Sequence, residues 1–234
     1  MNNLTSPRYK IKPIFLGDEK VGKTTLITNY TDSQYKNDTI IDFYTKNIEI
    51  FDEKVKLMIF DIKGHHCFEK IIIPYIKDVN AFIIVFDLTC LSSFYNISEW
   101  INKIKKYNNI VFNEYYPILL IGNKRDLEKE RIIKYEEAEK YAIYNKLLYI
   151  EISKYDDINR LNIILEIYFY KILTLYKHNT LDFSINYITL FTKNIENKKI
   201  ITSKSLDNIE ILDNKYKSNK YCNDCKKLLN CNIL

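Results

Sequence analysis

The chain has 234 residues, 47% of them hydrophobic, and a formal net charge of +5, enough for one domain with a real core plus an appendage. Acids and bases are interspersed, so no dense basic face points to nucleic acid. Five cysteines are an odd number; with no secretory signal in "MNNLTSPRYK" and no uninterrupted apolar run of bilayer length, a reducing cytosolic setting is expected over a disulfide framework. Asn2 stands where N-myristoylation requires glycine.

Short apolar runs alternate with helical stretches from Lys10 to about Leu173. The strand candidates are "IKPIFLG" (11–17), "NIEIF" (47–51), "KLMIFD" (56–61), "AFIIVFD" (81–87), "PILLIGN" (117–123) and "LLYIEIS" (147–153). Several lack polar alternation, as strands buried on both faces of a mostly parallel sheet do. Helices are expected over 22–30, 67–77, 91–107, 135–145 and 157–176. That alternation predicts a doubly wound α/β domain whose ligand site lies in the loops following the strands. Beyond about Tyr176 the pattern stops, and the lysine-rich remainder reads as a mobile tether.

The informative loop comes first. "GDEKVGKTT", Gly17 to Thr25, fits GxxxxGK(S/T) between the first strand and the first helix. Backbone amides of such a loop cradle phosphate oxygens, Lys23 adds a point charge, and the Thr24 hydroxyl can ligate magnesium. "NKRD", Asn123 to Asp126, follows a later strand. A carboxylate such as Asp126 can accept hydrogen bonds from both the ring N–H and the amino group of guanine, a pair of donors adenine does not offer. "EIS" at 151–153 supplies a third loop near the base.

Together these motifs resemble the Ras superfamily of small GTPases, and more specifically its Rab branch, over roughly residues 10–175. "KLMIFD", "PYIKDVNAFIIVFDLT" and "SFYNISEWI" carry the Rab likeness. The resemblance implies a P-loop NTPase fold, with a mostly parallel six-stranded sheet and helices on both faces. It implies a GTPase domain over 8–176 and a hypervariable membrane-targeting tail over 177–234. GTP or GDP with Mg2+ would be held by Gly17, Asp18, Glu19, Lys20, Val21, Gly22, Lys23, Thr24, Thr25, Thr39, Asp61, Gly64, Asn123, Lys124, Asp126, Leu127, Ser153 and Lys154. Thr24, Thr39 and Asp61 would serve the metal, and Gly64 with His65 the hydrolytic step. Implied partners are an exchange factor, a GTPase-activating protein, effectors, a prenyltransferase and a GDP-dissociation inhibitor. The expected form is a monomer on the cytoplasmic face of endomembranes, cycling with the cytosol and binding no nucleic acid.

Departures from the Rab pattern define what is particular here. WDTAGQE is replaced by Phe60, Asp61, Ile62, Lys63, Gly64, His65, His66, so His65 stands where a glutamine orients the attacking water. Imidazole is shorter, with one donor and one acceptor when neutral and a pKa of about 6.5; slow intrinsic hydrolysis is expected. A metal reading of the histidine pair fails, because adjacent helical residues point about 100° apart and Cys67 adds none of the usual zinc spacing. Lys63 stands where the family keeps a small residue beside the γ phosphate, and could compete with magnesium or add a cation there. "TIIDF", 39–43, is one residue shorter than TIGVDF, which puts the reach of Thr39 at issue. Glu19 and Lys20 replace small residues, with a backbone cost at Lys20 if its φ is positive.

"CNIL" fits the CaaX pattern, with Cys231 as geranylgeranyl acceptor. Lys215, Lys217, Lys220, Lys226 and Lys227 would add attraction to anionic lipid, and Cys222 and Cys225 could be acylated; a CxxC zinc half-site there lacks a second pair. Three functions compete: a cycling GTPase, a GTP-binding module that scarcely hydrolyses, and a scaffold that has lost nucleotide.

Overall fold

The structure is a computed structural model, and it describes residues 7–34, 39–50, 53–64, 69–108, 117–153 and 158–178. Strands β1 (Tyr9–Ile11), β2 (Pro13–Leu16), β3 (Ile41–Ile50), β4 (Glu53–Ile62), β5 (Ala81–Asp87), β6 (Ile118–Asn123) and β7 (Leu148–Glu151) form one sheet. Its helices are α1 (Lys23–Thr31), α2 (Glu69–Asp78), α3 (Leu91–Tyr95), α4 (Ile97–Tyr107), α5 (Tyr135–Tyr144) and α6 (Ile158–His178).

Seven strands occupy six positions, because β1 and β2 both lie parallel to β4. The first strand is interrupted at Lys12, whose N–H donates to the Asn80 side chain at 2.7 Å and whose carbonyl accepts from the Asn80 N–H at 3.2 Å. Pro13 then has no N–H to offer. Across the sheet, β4, β2, β5, β6 and β7 follow in parallel, and β3 alone runs antiparallel, on the outer side of β4. This is the mostly parallel α/β sheet expected of the family. All seven residues of β5 are buried, and at about 2 kcal/mol for each large side chain this strand and its neighbours anchor the core.

Two expected boundaries shift. β3 begins at Ile41 rather than near 47, since "IDFYTKNIEI" alternates exposure along a ten-residue pairing with β4. The 39–43 segment, which the resemblance makes the first switch with the loop at Lys63–Gly64 as the second, therefore enters a strand, and Asp42 becomes the direct cross-strand partner of Asp61. The single helix expected over 91–107 is two, joined at Asn96. Half-buried Arg131 grips the buried Glu151 through both guanidinium ends, at 2.9 and 2.7 Å, and Tyr149 donates to the same carboxylate at 2.7 Å. The bidentate geometry and the burial of Glu151 hold the end of β7 firmly in place.

Candidate nucleotide-binding site

The phosphate loop bends out of β2 and enters α1 through two left-handed glycines. Gly17 has φ 132°, and a Cβ there would fall 2.1 Å from the carbonyl oxygen of Val85 on β5. Gly22, the N-cap of α1, has φ 97°, and its Cβ would fall 2.3 Å from the Asn123 side-chain nitrogen. Both motif glycines are thus demanded by neighbouring strands. Lys20 does adopt a left-handed φ of 60°, a cost of roughly 1–2 kcal/mol for a side-chain-bearing residue. No side chain caps the N-terminus of α1, so its first amides are not claimed by a capping group.

Lys23 folds back over this loop. Its ammonium donates to the carbonyls of Gly17 at 2.8 Å and Asp18 at 2.6 Å, and the residue is 6% exposed. Burial lowers its pKa to about 8, against the opposing pull of Asp61, Asp18 and Glu19. A buried cation with little water around it is well suited to a phosphate oxygen.

The cation side is built on β4. The Thr24 hydroxyl donates to one oxygen of Asp61 at 2.5 Å, while the other Asp61 oxygen is buried without a hydrogen-bond partner. This all-oxygen donor set fits magnesium, which favours carboxylate and hydroxyl ligands. Burial raises the Asp61 pKa and Asp42 pushes the same way, while the Thr24 hydrogen bond, Lys23 and Lys63 hold it down. Thr39 is exposed, and its hydroxyl donates to the buried Asp42 carboxylate. The shortened first switch thus brings Thr39 onto the carboxylate opposite Asp61. The Lys63 N–H donates to the Ile40 carbonyl at 3.0 Å, which ties the two switch segments together. Gly64 lies on the phosphate loop: an added Cβ would sit 2.2 Å from the Gly17 oxygen and 2.4 Å from the Asp18 carbonyl carbon.

On the base side, the Asn123 amide donates to the Val21 carbonyl at 2.7 Å and bridges β6 to the phosphate loop; its own oxygen is buried without a partner. Lys124, at φ 66°, pairs with Asp87 at 2.6 Å. The Arg125 N–H donates to Ile152 at 3.2 Å and the Ile152 N–H to Gly122 at 2.8 Å, which aligns the loops after β6 and β7. Asp126 is exposed, Leu127 donates its N–H to the Lys124 carbonyl at 2.9 Å, and Ser153 is buried.

Gly17, Asp18, Val21, Gly22, Lys23, Thr24, Asp61, Gly64 and Asn123 are therefore in mutual contact or linked through single hydrogen bonds. Glu19, Lys20 and Thr25 stand exposed along the same loop and helix. His65, Lys154, Cys222, Cys225 and Cys231 lie outside the described residues. Four contributors escaped the sequence reading: Asp42, Asp87, and the pair Asn96 and Trp100, which bind Asp18. Only Asp87, a carboxylate ending an apolar strand, carried a local signal.

A loop of GxxxxGK(S/T) form between a parallel strand and a helix, an aspartate–threonine pair whose oxygens fit magnesium, and an Asn-Lys loop after β6 together make a candidate nucleotide site of the small-G-protein class. Residues 12–173 match the sequence model of the Ras family. The chain is also 34% identical over 155 residues to the GTP-binding protein YPT1 of Saccharomyces cerevisiae, an alignment covering 64% of this chain and 73% of that protein. The chain belongs to the Ras family, as a Rab-like small GTPase of the Ras superfamily.

Proposed function

We propose that this chain is a guanine-nucleotide switch of the Rab type with an unusually long GTP-bound lifetime, held on endomembranes by its tail. The observation that carries the reading is the convergence of Lys23, Thr24–Asp61 and Asn123–Val21 on one loop: a phosphate anchor, a magnesium pair and a base-side strut. Magnesium bound there would neutralise developing charge on the phosphates. Lys23 would hold β and γ oxygens, Gly64 would sense the γ phosphate, and Asp126, with Asn123, Lys124 and Ser153, would select guanine.

Effector recruitment finds support beside the same carboxylates. Phe43 follows Asp42 and Phe60 precedes Asp61; their rings lie 5.4 Å apart, and Phe60 meets Tyr75 of α2 at 5.5 Å. Phe43 is 39% exposed, so a change at the cation site has a short path to an aromatic surface. Prenylation at Cys231 and the lysine-rich 177–234 tail would supply the membrane address, with the exchange factor, GTPase-activating protein, GDP-dissociation inhibitor and prenyltransferase completing the cycle around a GTPase domain at 8–176. Among the described residues, no helix is long and apolar enough to cross a membrane.

His65 in place of the water-orienting glutamine argues for slow turnover. A second reading, a module that binds GTP and does not hydrolyse it, draws on the Thr39 hydroxyl being held by Asp42. Nucleotide recovered from purified protein, followed by single-turnover hydrolysis beside His65→Gln, tests both. Recovery of guanine nucleotide and a faster glutamine variant are expected; equal rates would remove the claim about His65, and absence of any nucleotide would remove the switch.

A further inference from the structure

Asp18 presents a problem that its neighbours solve. A carboxylate in the second position of an anion-binding loop repels the phosphates the loop serves, unless its charge is satisfied elsewhere. Here both oxygens are taken by donors from the α3–α4 junction: the Asn96 side-chain amide at 2.8 Å and the Trp100 indole N–H at 3.1 Å. Asn96 is the N-cap of α4, a position where asparagine ordinarily bonds the first amides of its own helix, yet it makes no side-chain cap bond there. The cap is diverted across 78 residues of sequence onto the loop. The Asp18 carbonyl meanwhile receives the Lys23 ammonium at 2.6 Å, and its carbonyl carbon is what Gly64 packs against.

We propose that Asn96 and Trp100 form a nucleotide-retention clamp: positioning residues that hold Asp18, and through its backbone Lys23, in the phosphate-binding arrangement. Loosening the α3–α4 junction then releases nucleotide by a change that begins outside the switches. The inference rests on the nucleotide-switch reading above.

The test is the release rate of bound GDP from the full chain, followed through the emission of Trp100, the single tryptophan. Asn96→Asp sets two carboxylates against each other and is expected to speed release about tenfold. The double variant Asp18→Asn/Asn96→Asp exchanges amide and carboxylate while leaving an acceptor for Trp100, and is expected to return release to within about twofold of wild type. A merely structural pair would lower the unfolding temperature in Asn96→Asp and leave the release rate of the folded protein unchanged. Unchanged release, or accelerated release that the exchange does not recover, overturns the clamp alone. Wild-type protein that retains no guanine nucleotide overturns the switch reading and the clamp with it.

Discussion

The two ends of the site are built on different principles. On the base side, paired polar groups do the placing: the Asn123 side chain reaches the Val21 carbonyl, the loops after β6 and β7 exchange amide hydrogen bonds, and Arg131–Glu151 locks the strand beneath. On the γ phosphate side, charged side chains face one another across β3 and β4, with Asp42 directly opposite Asp61 and one Asp61 oxygen unsatisfied. Like charges directly opposite on a sheet destabilise it, and an orphaned buried oxygen costs about 1–3 kcal/mol. The base side also keeps one orphaned oxygen, on Asn123, but its Lys124–Asp87 and Arg131–Glu151 pairs bring opposite charges together, so it is the firmer of the two. The γ side sets like charges together and is completed by ligand. A switch needs that asymmetry, because facing carboxylates interact very differently with a cation between them and without one.

Breaking the rigid side should have the largest effect. Asp126→Ala is expected to cut the preference for guanine over adenine nucleotide by about 10⁴-fold, read by competition between GDP and ADP; a preference within tenfold of wild type would refute the base assignment. Lys23→Ala should weaken nucleotide binding by at least about 100-fold, seen as nucleotide-free protein after purification. The γ side should respond in rate. His65→Gln is expected to raise single-turnover hydrolysis by about tenfold or more.

The charge of Lys23 links the two sides through pH. An ordinary lysine holds its proton to 10.5, and the folded nucleotide-free protein releases it near 8. Through that window the unfolded chain binds more protons, so the nucleotide-free fold gains stability as pH rises. Phosphates require the charged ammonium, so nucleotide affinity should be flat below about pH 8 and fall above it, by up to about tenfold per unit. An affinity unchanged between pH 7 and 10 would contradict the burial of that cation. The smallest effect belongs to the carboxylate pair: with divalent cation chelated, Asp42→Asn should stabilise the fold by about 1 kcal/mol, a rise of a few degrees in the unfolding midpoint by circular dichroism. A fall would mean that Asp42 serves the fold rather than the site.

Much of this was legible along the chain. Gly17 to Thr25 stood out as a candidate because phosphate binding asks for consecutive residues in one loop, and the same holds for Asn123 to Asp126 as a candidate base loop. Strands such as Ala81–Asp87 were read to the residue, since a fully apolar run between turns leaves little choice. The start of β3 was not, because "TIIDF" reads as a loop motif until its alternation is extended by pairing with β4.

The sequence by itself determined the order of elements, the nucleotide loops and the altered residues of the γ side, all of which are local in the chain. Only the tertiary structure decided that Asp42 faces Asp61, that Asp87 holds Lys124, and that the cap of α4 is spent on Asp18. Those partners lie from 19 to 78 residues apart, and no periodicity or spacing encodes which strand ends and helix junctions meet. Their contact follows from the packing of apolar strand faces and helices, which brings distant polar groups together wherever the buried surfaces fit.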